Sequence, residues 1–270
     1  MTTPELTAPQ TATLKAADGV PIDACHDPAS MDTASVDAVS VDAVSVDRAA
    51  RSQALVVAHG FTGSWRRPSL RRIASVLAAT GGVVSFDFRG HGRSGGASTV
   101  GDREVLDLEA AVGWARDLGY ERVCTLGFSM GAAVAVRHAG LHRGVDAVAA
   151  VSGPSRWYYR DTTPMRRAHW VIERPLGRLV GRLALRTRIS ADGWDPVPEP
   201  PHEVAARISP TPLLIVHGDV DRYFPLEHAE KLYAAAAEPK ELWIEPGFGH
   251  AETAAPEDLL RRIAAWLATA

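Results

Sequence analysis

A chain of 270 residues is long enough to form one large domain with an ample hydrophobic core. Its formal net charge of −3 argues against nucleic acid as a general partner. No apolar run approaches the roughly 18 residues of a membrane-spanning helix, so we expect no stable membrane insertion. The first residues lack the basic region and the apolar stretch of a secretory signal, so the expected location is cytoplasmic. Cys25 and Cys124 are the only cysteines, and a disulfide framework is not expected.

The hydrophobic pattern predicts strands and helices that alternate along the chain. Residues 11–17 and 20–27 are expected to form an antiparallel hairpin around Asp18-Gly19, a dipeptide suited to a tight two-residue turn. Further strands are predicted near 54–58, 82–88, 122–127, 146–151, 212–217 and 241–245. Helices are predicted near 68–79, 103–118, 130–141, 226–237 and 256–268. This alternation is typical of an α/β fold with a mostly parallel sheet.

The helix predicted near 103–118 has the clearest local signals. Asp102 is its expected N-cap, because a carboxylate there can accept backbone N–H groups of the first turn. An apolar stripe follows, formed by Val105, Leu108, Val112, Ala115 and Leu118. We expect this stripe to face the core.

A short repeat interrupts the alternation between the hairpin and the next strand. Val36-Asp37-Ala38-Val39-Ser40 recurs at residues 41–45 and begins again at Val46. Valines spaced alternately three and two residues apart cannot stay on one face of a strand or a helix. We interpret residues 30–51 as a low-complexity loop and assign it no function.

The most informative chemical signal is the run Gly127-Phe128-Ser129-Met130-Gly131, between a predicted strand and a predicted helix. A sharp turn there would lift the Ser129 hydroxyl clear of its backbone, where a neighbouring base can activate it. Glycines on both sides leave the space that such a turn requires. The run therefore indicates a serine nucleophile. The alternative is a glycine-flanked turn in an ordinary strand–helix unit.

Three further polar runs directly follow predicted strands: His59-Gly60-Phe61, Gly218-Asp219-Val220-Asp221 and Gly247-Phe248-Gly249-His250. The carboxyl ends of parallel strands lie at one edge of a sheet, where ligands bind. These runs can therefore meet Ser129, although they are far apart in the chain.

Together with Asp87-Phe88-Arg89-Gly90-His91-Gly92-Arg93-Ser94, these runs resemble the motifs of the α/β-hydrolase family. The resemblance covers nearly the whole chain and implies a mostly parallel eight-stranded sheet with helices on both faces. It also implies a helical cap. The hydrolase core would comprise residues 1–153 and 207–270, and residues 154–206 would be the cap, or lid, insertion.

The resemblance implies a role for each group near the nucleophile. Ser129 Oγ would attack an acyl carbonyl, and His250 would take its proton and later return it to the leaving group. The backbone N–H groups of Phe61 and Met130 match the positions of the oxyanion hole. His59 is expected to shape that loop rather than to act as a base.

Two aspartates compete for the role of the acid that orients His250. The family places this acid three residues after the glycine, which is Asp221 in this chain. We therefore expect Asp221 to stabilise the imidazolium and Asp219 to help turn the loop.

The implied cap carries three sets of side chains. Aromatic residues cluster at its start: Trp157, Tyr158, Tyr159 and Trp170. An apolar helical stripe follows: Leu176, Leu179, Val180 and Leu183. Arginines repeat at i,i+4 on another face: Arg178, Arg182 and Arg186. We expect Trp157, Tyr158 and Trp170 to contact substrate, the apolar stripe to cover a pocket and the arginines to face water. The alternative is that the arginines bind an anionic group such as a phosphate.

Other polar patterns are interpreted as structural. Gly90-His91-Gly92-Arg93-Ser94-Gly95 has the form of a dinucleotide fingerprint, but the chain stays in a loop until Asp102, so no helix opens within it. His138 and His142 share a helical face without a third ligand, so we expect them at the surface. Asp87 is expected to anchor its loop. We therefore predict no metal and no cofactor.

These observations predict a metal-independent serine hydrolase that cleaves small-molecule carboxylic esters through an acyl-enzyme. A thioesterase, an acyltransferase, a lysophospholipase or an aminopeptidase could use the same residues. From another class, a hydrolase-like protein could bind a small molecule with little turnover, because a fold alone does not establish catalysis. The oligomeric state and the substrate stay open at this point.

Overall fold

The structure is a computed structural model that describes residues 8–30 and 52–270. The predicted low-complexity loop over 30–51 lies outside the described residues, apart from Ser30. Across the two described ranges, no helix is both long and apolar enough to cross a lipid bilayer.

The strands of the described residues form one eight-stranded sheet. They are β1 (Gln10–Lys15), β2 (Pro21–Asp27), β3 (Gln53–Ala58), β4 (Gly82–Phe86), β5 (Arg122–Phe128), β6 (Ala147–Val151), β7 (Leu213–Gly218) and β8 (Lys240–Glu245). The strand order is β1-β2-β4-β3-β5-β6-β7-β8. Strand β2 pairs antiparallel with β1 and β4, and all other pairs are parallel. The predicted mostly parallel eight-stranded sheet is confirmed.

Helices cover both faces of this sheet. They are α1 (Pro68–Leu77), α2 (Glu104–Asp117), α3 (Met130–Leu141), α4 (Thr163–Glu173), α5 (Pro175–Leu183), α6 (Pro201–Val204), α7 (Glu227–Ala235), α8 (Ala251–Ala254) and α9 (Glu257–Thr269), with a 3₁₀ turn at Ala205–Ile208. Helices α1 and α9 pack on one face, and α2, α3 and α7 pack on the other. Helices α4 and α5 lie in the connection between β6 and β7, within the predicted insertion.

The central strands are apolar on both sides because both faces of the sheet are covered. In β3, Leu55 and Val57 join the core under α1 and α9, whereas Val56 joins the core under α2 and α3. Ala58 at the end of β3 is paired with Gly127 in β5. This register brings the loops after β3 and β5 side by side at the carboxyl edge of the sheet.

Helix α2 begins two residues later than Asp102, so the predicted cap is wrong. Its N-cap is Arg103, with no side-chain capping hydrogen bond. The Glu104 carboxylate instead accepts the N–H groups of residues 99–101, at 2.8 to 3.1 Å. A carboxylate in the first turn thus orders the preceding loop rather than the helix terminus. The apolar stripe that begins at Val105 faces the core as predicted.

Helix α5 packs against the protein through its glycines. A Cβ on Gly177 would collide with the carbonyl oxygen of Trp170, and one on Gly181 would lie 3.2 Å from Ile189 Cδ1. The predicted apolar stripe lies on the other side of the helix and is exposed: Leu176, Leu179, Val180 and Leu183. The prediction that this stripe covers a pocket is therefore wrong, because glycine permits the closer approach and takes the inner face.

Candidate active site

Ser129 lies at the turn between β5 and α3. Its backbone has φ 53° and ψ −115°, a conformation that residues with a side chain rarely adopt. The Ser129 N–H donates to the carbonyl of Val151 at 2.9 Å, which ties the turn to β6. A Cβ on Gly127 would collide with the Gly131 carbonyl, and one on Gly131 with the Ala58 carbonyl. Gly127 is therefore required for the turn itself, and Gly131 for its packing against β3.

The loops after β7 and β8 bring two side chains to Ser129. His250 Nε2 lies 3.0 Å from Ser129 Oγ, and His250 Nδ1 lies 2.8 Å from Asp221 Oδ2. The Asp221 side chain has no exposed surface, and its Oδ1 accepts the N–H groups of Tyr223 at 2.7 Å and Phe224 at 3.2 Å. Because a carboxylate accepts, we assign the hydrogen of the neutral ring to Nδ1, which leaves Nε2 to accept from the serine hydroxyl.

Asp219, the other candidate acid, has a different partner. Its Oδ1 accepts the N–H of Gly247 at 2.7 Å, which links the loops after β7 and β8 ahead of His250. The structure therefore brings Asp221, and not Asp219, against His250.

Phe61 and Met130 both line the cavity in front of Ser129. Met130 is the first residue of α3, and N–H groups in a first helical turn have no acceptor within the helix. Phe61 lies in the loop after β3, and a Cβ on its neighbour Gly60 would lie 3.2 Å from Ser129 Cβ. The two residues implied by the resemblance thus border the same cavity as Ser129.

Two buried imidazoles hold the loop after β3. His59 Nδ1 donates to the carbonyl of Gly60 at 2.7 Å, and Nε2 accepts the N–H of Phe88 at 3.1 Å. Burial lowers the pKa of His59 to about 4, so its ring is neutral near pH 7. His91 Nε2 accepts the N–H of Thr62 at 3.2 Å, and burial lowers its pKa to about 3. His59 therefore shapes the loop, as the sequence predicts.

The loop after β4 is held by its own acidic residue. Asp87 is buried and accepts the N–H groups of Trp65 at 2.8 Å and Arg93 at 3.2 Å. Arg89, also buried, forms an ion pair with Asp107 at 2.7 Å. No helix opens between Asp87 and Arg103, in agreement with a structural rather than a nucleotide-binding loop.

A cavity of about 790 Å³ lies between these loops and the insertion. Trp157 and Tyr158 line it, and Trp157 Nε1 donates to the carbonyl of Pro198 at 2.7 Å. Trp170 does not line it and is 43% exposed. The side of α4 that borders the cavity carries Met165, Ala168, His169 and Ile172. Because position 170 lies on the opposite side of this helix, the expected contact of Trp170 with a cavity-bound substrate is wrong.

The three arginines of the predicted stripe lie in different surroundings. Arg178 borders the cavity and donates to the carbonyls of Ile172 at 3.3 Å and Glu173 at 3.0 Å, at the end of α4. Arg182 and Arg186 are exposed. Arg178 therefore donates to carbonyl groups that have no partner within the helix, because they lie in its last turn.

Sequence reasoning missed Glu252, which borders the cavity next to Ser129. Both of its carboxylate oxygens and Ser129 Cβ lie 3.1 to 3.2 Å from the position that a Cβ on Gly60 would take. Glu252 Oε1 accepts the Gly60 N–H at 3.3 Å, and burial raises the pKa of this carboxyl. The sequence feature that could have indicated Glu252 is its position two residues after His250, at the same strand end. Tyr223 was also missed, and its ring stacks on His250 at a centroid distance of 4.1 Å.

The prediction that both helix α3 histidines lie at the surface is half wrong. His138 is buried, and its Nε2 lies 2.5 Å from Glu109 Oε2. The exposed ring of His142 stacks on it at 5.3 Å. Among the residues described, no group of three or more His, Cys, Asp or Glu side chains could hold a metal ion.

Residues 49–195 match the family described as serine aminopeptidase, S33. The monoacylglycerol lipase of Mycolicibacterium smegmatis is 27% identical, over 79% of this chain and 87% of its own length. The uncharacterized protein YfhR of Salmonella typhi is 31% identical, over 62% of this chain and 54% of its own. The chain thus spans about half the length of the YfhR relatives it matches.

Among solved structures, the esterase Pf2001 of Pyrococcus furiosus has a TM-score of 0.70 and 24% identity, covering 97% of this chain and 92% of that one. The α/β-hydrolase GrgF of a Penicillium species also has a TM-score of 0.70, with 21% identity and coverage of 96% and 97%. At these identities the two likenesses establish the fold.

Proposed function

The chain belongs to the serine aminopeptidase S33 family of α/β-hydrolases, and on this premise we propose that it cleaves carboxylic esters through an acyl-enzyme. One observation carries the proposal: Ser129 Oγ, His250 and Asp221 are linked by contacts of 3.0 and 2.8 Å. The relative named monoacylglycerol lipase, which is matched over 87% of its length, supports an ester as the substrate.

In the proposed acylation step, Ser129 Oγ attacks the ester carbonyl carbon while its proton passes to His250 Nε2. The carbonyl π electrons move onto oxygen and form a tetrahedral oxyanion. The carbonyl then re-forms, the bond to the alcohol breaks, and His250 gives its proton to the departing alkoxide. Asp221 holds the imidazole in the required tautomer and stabilises the imidazolium.

The backbone N–H groups of Phe61 and Met130 are the proposed donors to the oxyanion. Fixed donors stabilise a charge that exists only at the transition state, and one such donor is worth roughly 10²- to 10³-fold in kcat. The anchors at His59 and His91 support this proposal, because they hold the loop in place before substrate binds.

Deacylation repeats the same chemistry with water. His250 Nε2 takes a proton from a water molecule, whose oxygen attacks the acyl carbon. The Ser129 ester bond breaks, and the proton returns to Ser129 Oγ. The products are a carboxylic acid and the regenerated enzyme.

We propose that residues 154–206 act as a cap over this site. Trp157 and Tyr158 border the cavity and offer an apolar contact surface to the acyl or alcohol group. A cavity of about 790 Å³ suits a medium-sized ligand.

A second candidate, hydrolysis of an aminoacyl bond, is favoured by Glu252. Its carboxylate borders the cavity next to Ser129 and forms no ion pair with another described residue. Carboxylates form strong charge-assisted hydrogen bonds with ammonium groups. A substrate with an amino group next to the scissile carbonyl would supply that partner.

A substrate panel tests both candidates. It comprises p-nitrophenyl esters of graded acyl length, an acyl thioester and an aminoacyl p-nitroanilide, each assayed with wild type, Ser129→Ala and Glu252→Gln. We expect ester turnover, with kcat lowered roughly 10⁴-fold or more in Ser129→Ala. Unchanged ester turnover in Ser129→Ala would refute the mechanism. Turnover of the anilide alone, lost in Glu252→Gln, would establish the second candidate.

A further inference from the structure

Helices α4 and α5 present an outer apolar face on the insertion. We define it by five side chains with their exposed fractions: Trp170 (43%), Leu176 (63%), Leu179 (49%), Val180 (37%) and Leu183 (72%). Four of these residues follow the i, i+3, i+4, i+7 spacing of one helical side. They lie away from Gly177 and Gly181, through which α5 packs inward.

Four of the five residues share one side of α5, so they are clustered rather than scattered. Single exposed apolar side chains are common, but a clustered patch on one helix indicates a surface that another body covers. No described residue packs over these leucines to cover them, since between about half and three quarters of each is exposed.

The charge around the face indicates what covers it. Residues 160–188 contain eight arginines and two carboxylates, a net charge of +6 on a chain with −3 overall. One of the two carboxylates, Glu173, already contacts Arg160. Exposed arginines lie on or next to the same two helices: Arg166, Arg167, Arg174, Arg182 and Arg186. Of these, Arg167 also borders the cavity at Ser129.

We propose that the outer apolar face docks onto an anionic lipid surface. An amphipathic helix with exposed leucines and flanking arginines inserts its apolar side at the acyl boundary and holds anionic headgroups with its arginines. Leu176 and Leu183 are the deepest expected contacts, because they are the most exposed of the five.

A second copy of the chain is a poorer occupant. Two-fold association places the same patch of each copy against the other. Each patch carries the +6 segment, so the pairing brings like charges together. An anionic lipid surface removes this repulsion and covers the same leucines.

The docking proposal does not depend on the reaction at Ser129. We would therefore measure it with the whole 270-residue chain carrying Ser129→Ala, by co-sedimentation with vesicles of phosphatidylcholine alone and of an equal mixture with phosphatidylglycerol. We expect binding to the mixed vesicles, weaker binding to phosphatidylcholine alone and a decline with added salt, because salt screens the arginine contacts.

Matched variants locate the binding surface. Leu176→Ser/Leu183→Ser should reduce the partition coefficient on mixed vesicles by at least about tenfold. Leu141→Ser/Ile244→Ser, which replaces two exposed apolar residues outside the insertion, should leave it unchanged. Arg174→Gln/Arg182→Gln should reduce binding to mixed vesicles toward the level on phosphatidylcholine alone.

Three results would overturn the proposal. One is Ser129→Ala protein that binds neither vesicle, and another is equal binding by Leu176→Ser/Leu183→Ser and by the control Leu141→Ser/Ile244→Ser. The third is a dimer in sedimentation velocity that dissociates in Leu176→Ser/Leu183→Ser, which would assign the face to a second copy.

Discussion

The carboxyl edge of the sheet and the α4–α5 insertion differ in which side chains they bury and which they expose. At the sheet edge, buried polar side chains are held by several hydrogen bonds, as Asp221 is by His250 and two backbone N–H groups. In the insertion, apolar side chains are exposed and α5 packs through glycine. Several strands in register fix the first region, whereas α5 is held by its contacts with α4 at Gly177 and with residues 187–189 at Gly181.

The largest expected effect separates the two aspartates at the sheet edge. Asp221→Asn should lower kcat roughly 10³- to 10⁴-fold, because an amide no longer stabilises the imidazolium or enforces its tautomer. Asp219→Asn should cost less than about tenfold, since its amide oxygen can still accept the Gly247 N–H. Steady-state ester kinetics measure both variants. A greater loss in Asp219→Asn would mean that the proposed acid is misplaced.

Two helical glycines test how tightly the sheet edge is packed. Gly131→Ala in α3 should lower the free energy of unfolding by about 1–3 kcal/mol or more, because the new methyl group meets the Ala58 carbonyl. Gly113→Ala in α2 should raise it by up to about 1 kcal/mol, since nothing lies within 4 Å of the added methyl. Urea unfolding measures both. Equal effects would contradict the close packing of α3 against β3.

The buried histidines of the sheet edge predict a dependence of stability on pH. The folded pKa of His59, about 4, lies below its unfolded value, so its contribution is present above the unfolded pKa. That contribution is lost as pH falls toward 4. From pH 7 to pH 5, the unfolding free energy of wild type should fall by about 1–2 kcal/mol more than that of His59→Gln. An unchanged pH dependence would show that His59 can be protonated in the folded state.

The smallest expected effect is on ester kinetics, when two tryptophans of the insertion are replaced in turn. Trp157→Ala should shift the preferred acyl length and change kcat/KM by up to about tenfold, because Trp157 borders the cavity. Trp170→Ala should leave the kinetics of soluble esters nearly unchanged, because Trp170 faces outward. The ester panel distinguishes them. A larger kinetic effect at Trp170 would contradict the orientation of α4.

Most of the sheet was predictable because a short apolar run in the sequence indicates both the length of a strand and its burial. Every predicted strand and helix is present within about two residues of its expected bounds. The meeting of Ser129, His250 and Asp221 was also predictable, since parallel register brings strand ends level.

The insertion was predicted less well for a physical reason. Periodicity shows which residues share a face, but not what covers that face. Gly177 and Gly181, four positions apart, were the signal that α5 packs inward through its small residues. Glu252 was missed because a single carboxylate in a short helix has no pattern of its own.

The central claim is that Ser129 is the nucleophile, and covalent labelling tests it most directly. A fluorophosphonate reacts with an activated serine, and mass spectrometry of the digested protein identifies the modified residue. We expect one label on Ser129 and none in Ser129→Ala. Ser152 is buried with its Oγ accepting the Ala251 N–H, and Ser64 Oγ accepts the Arg66 N–H, so neither contacts His250. A label on Ser152 or Ser64, or labelling that persists in Ser129→Ala, would contradict the account.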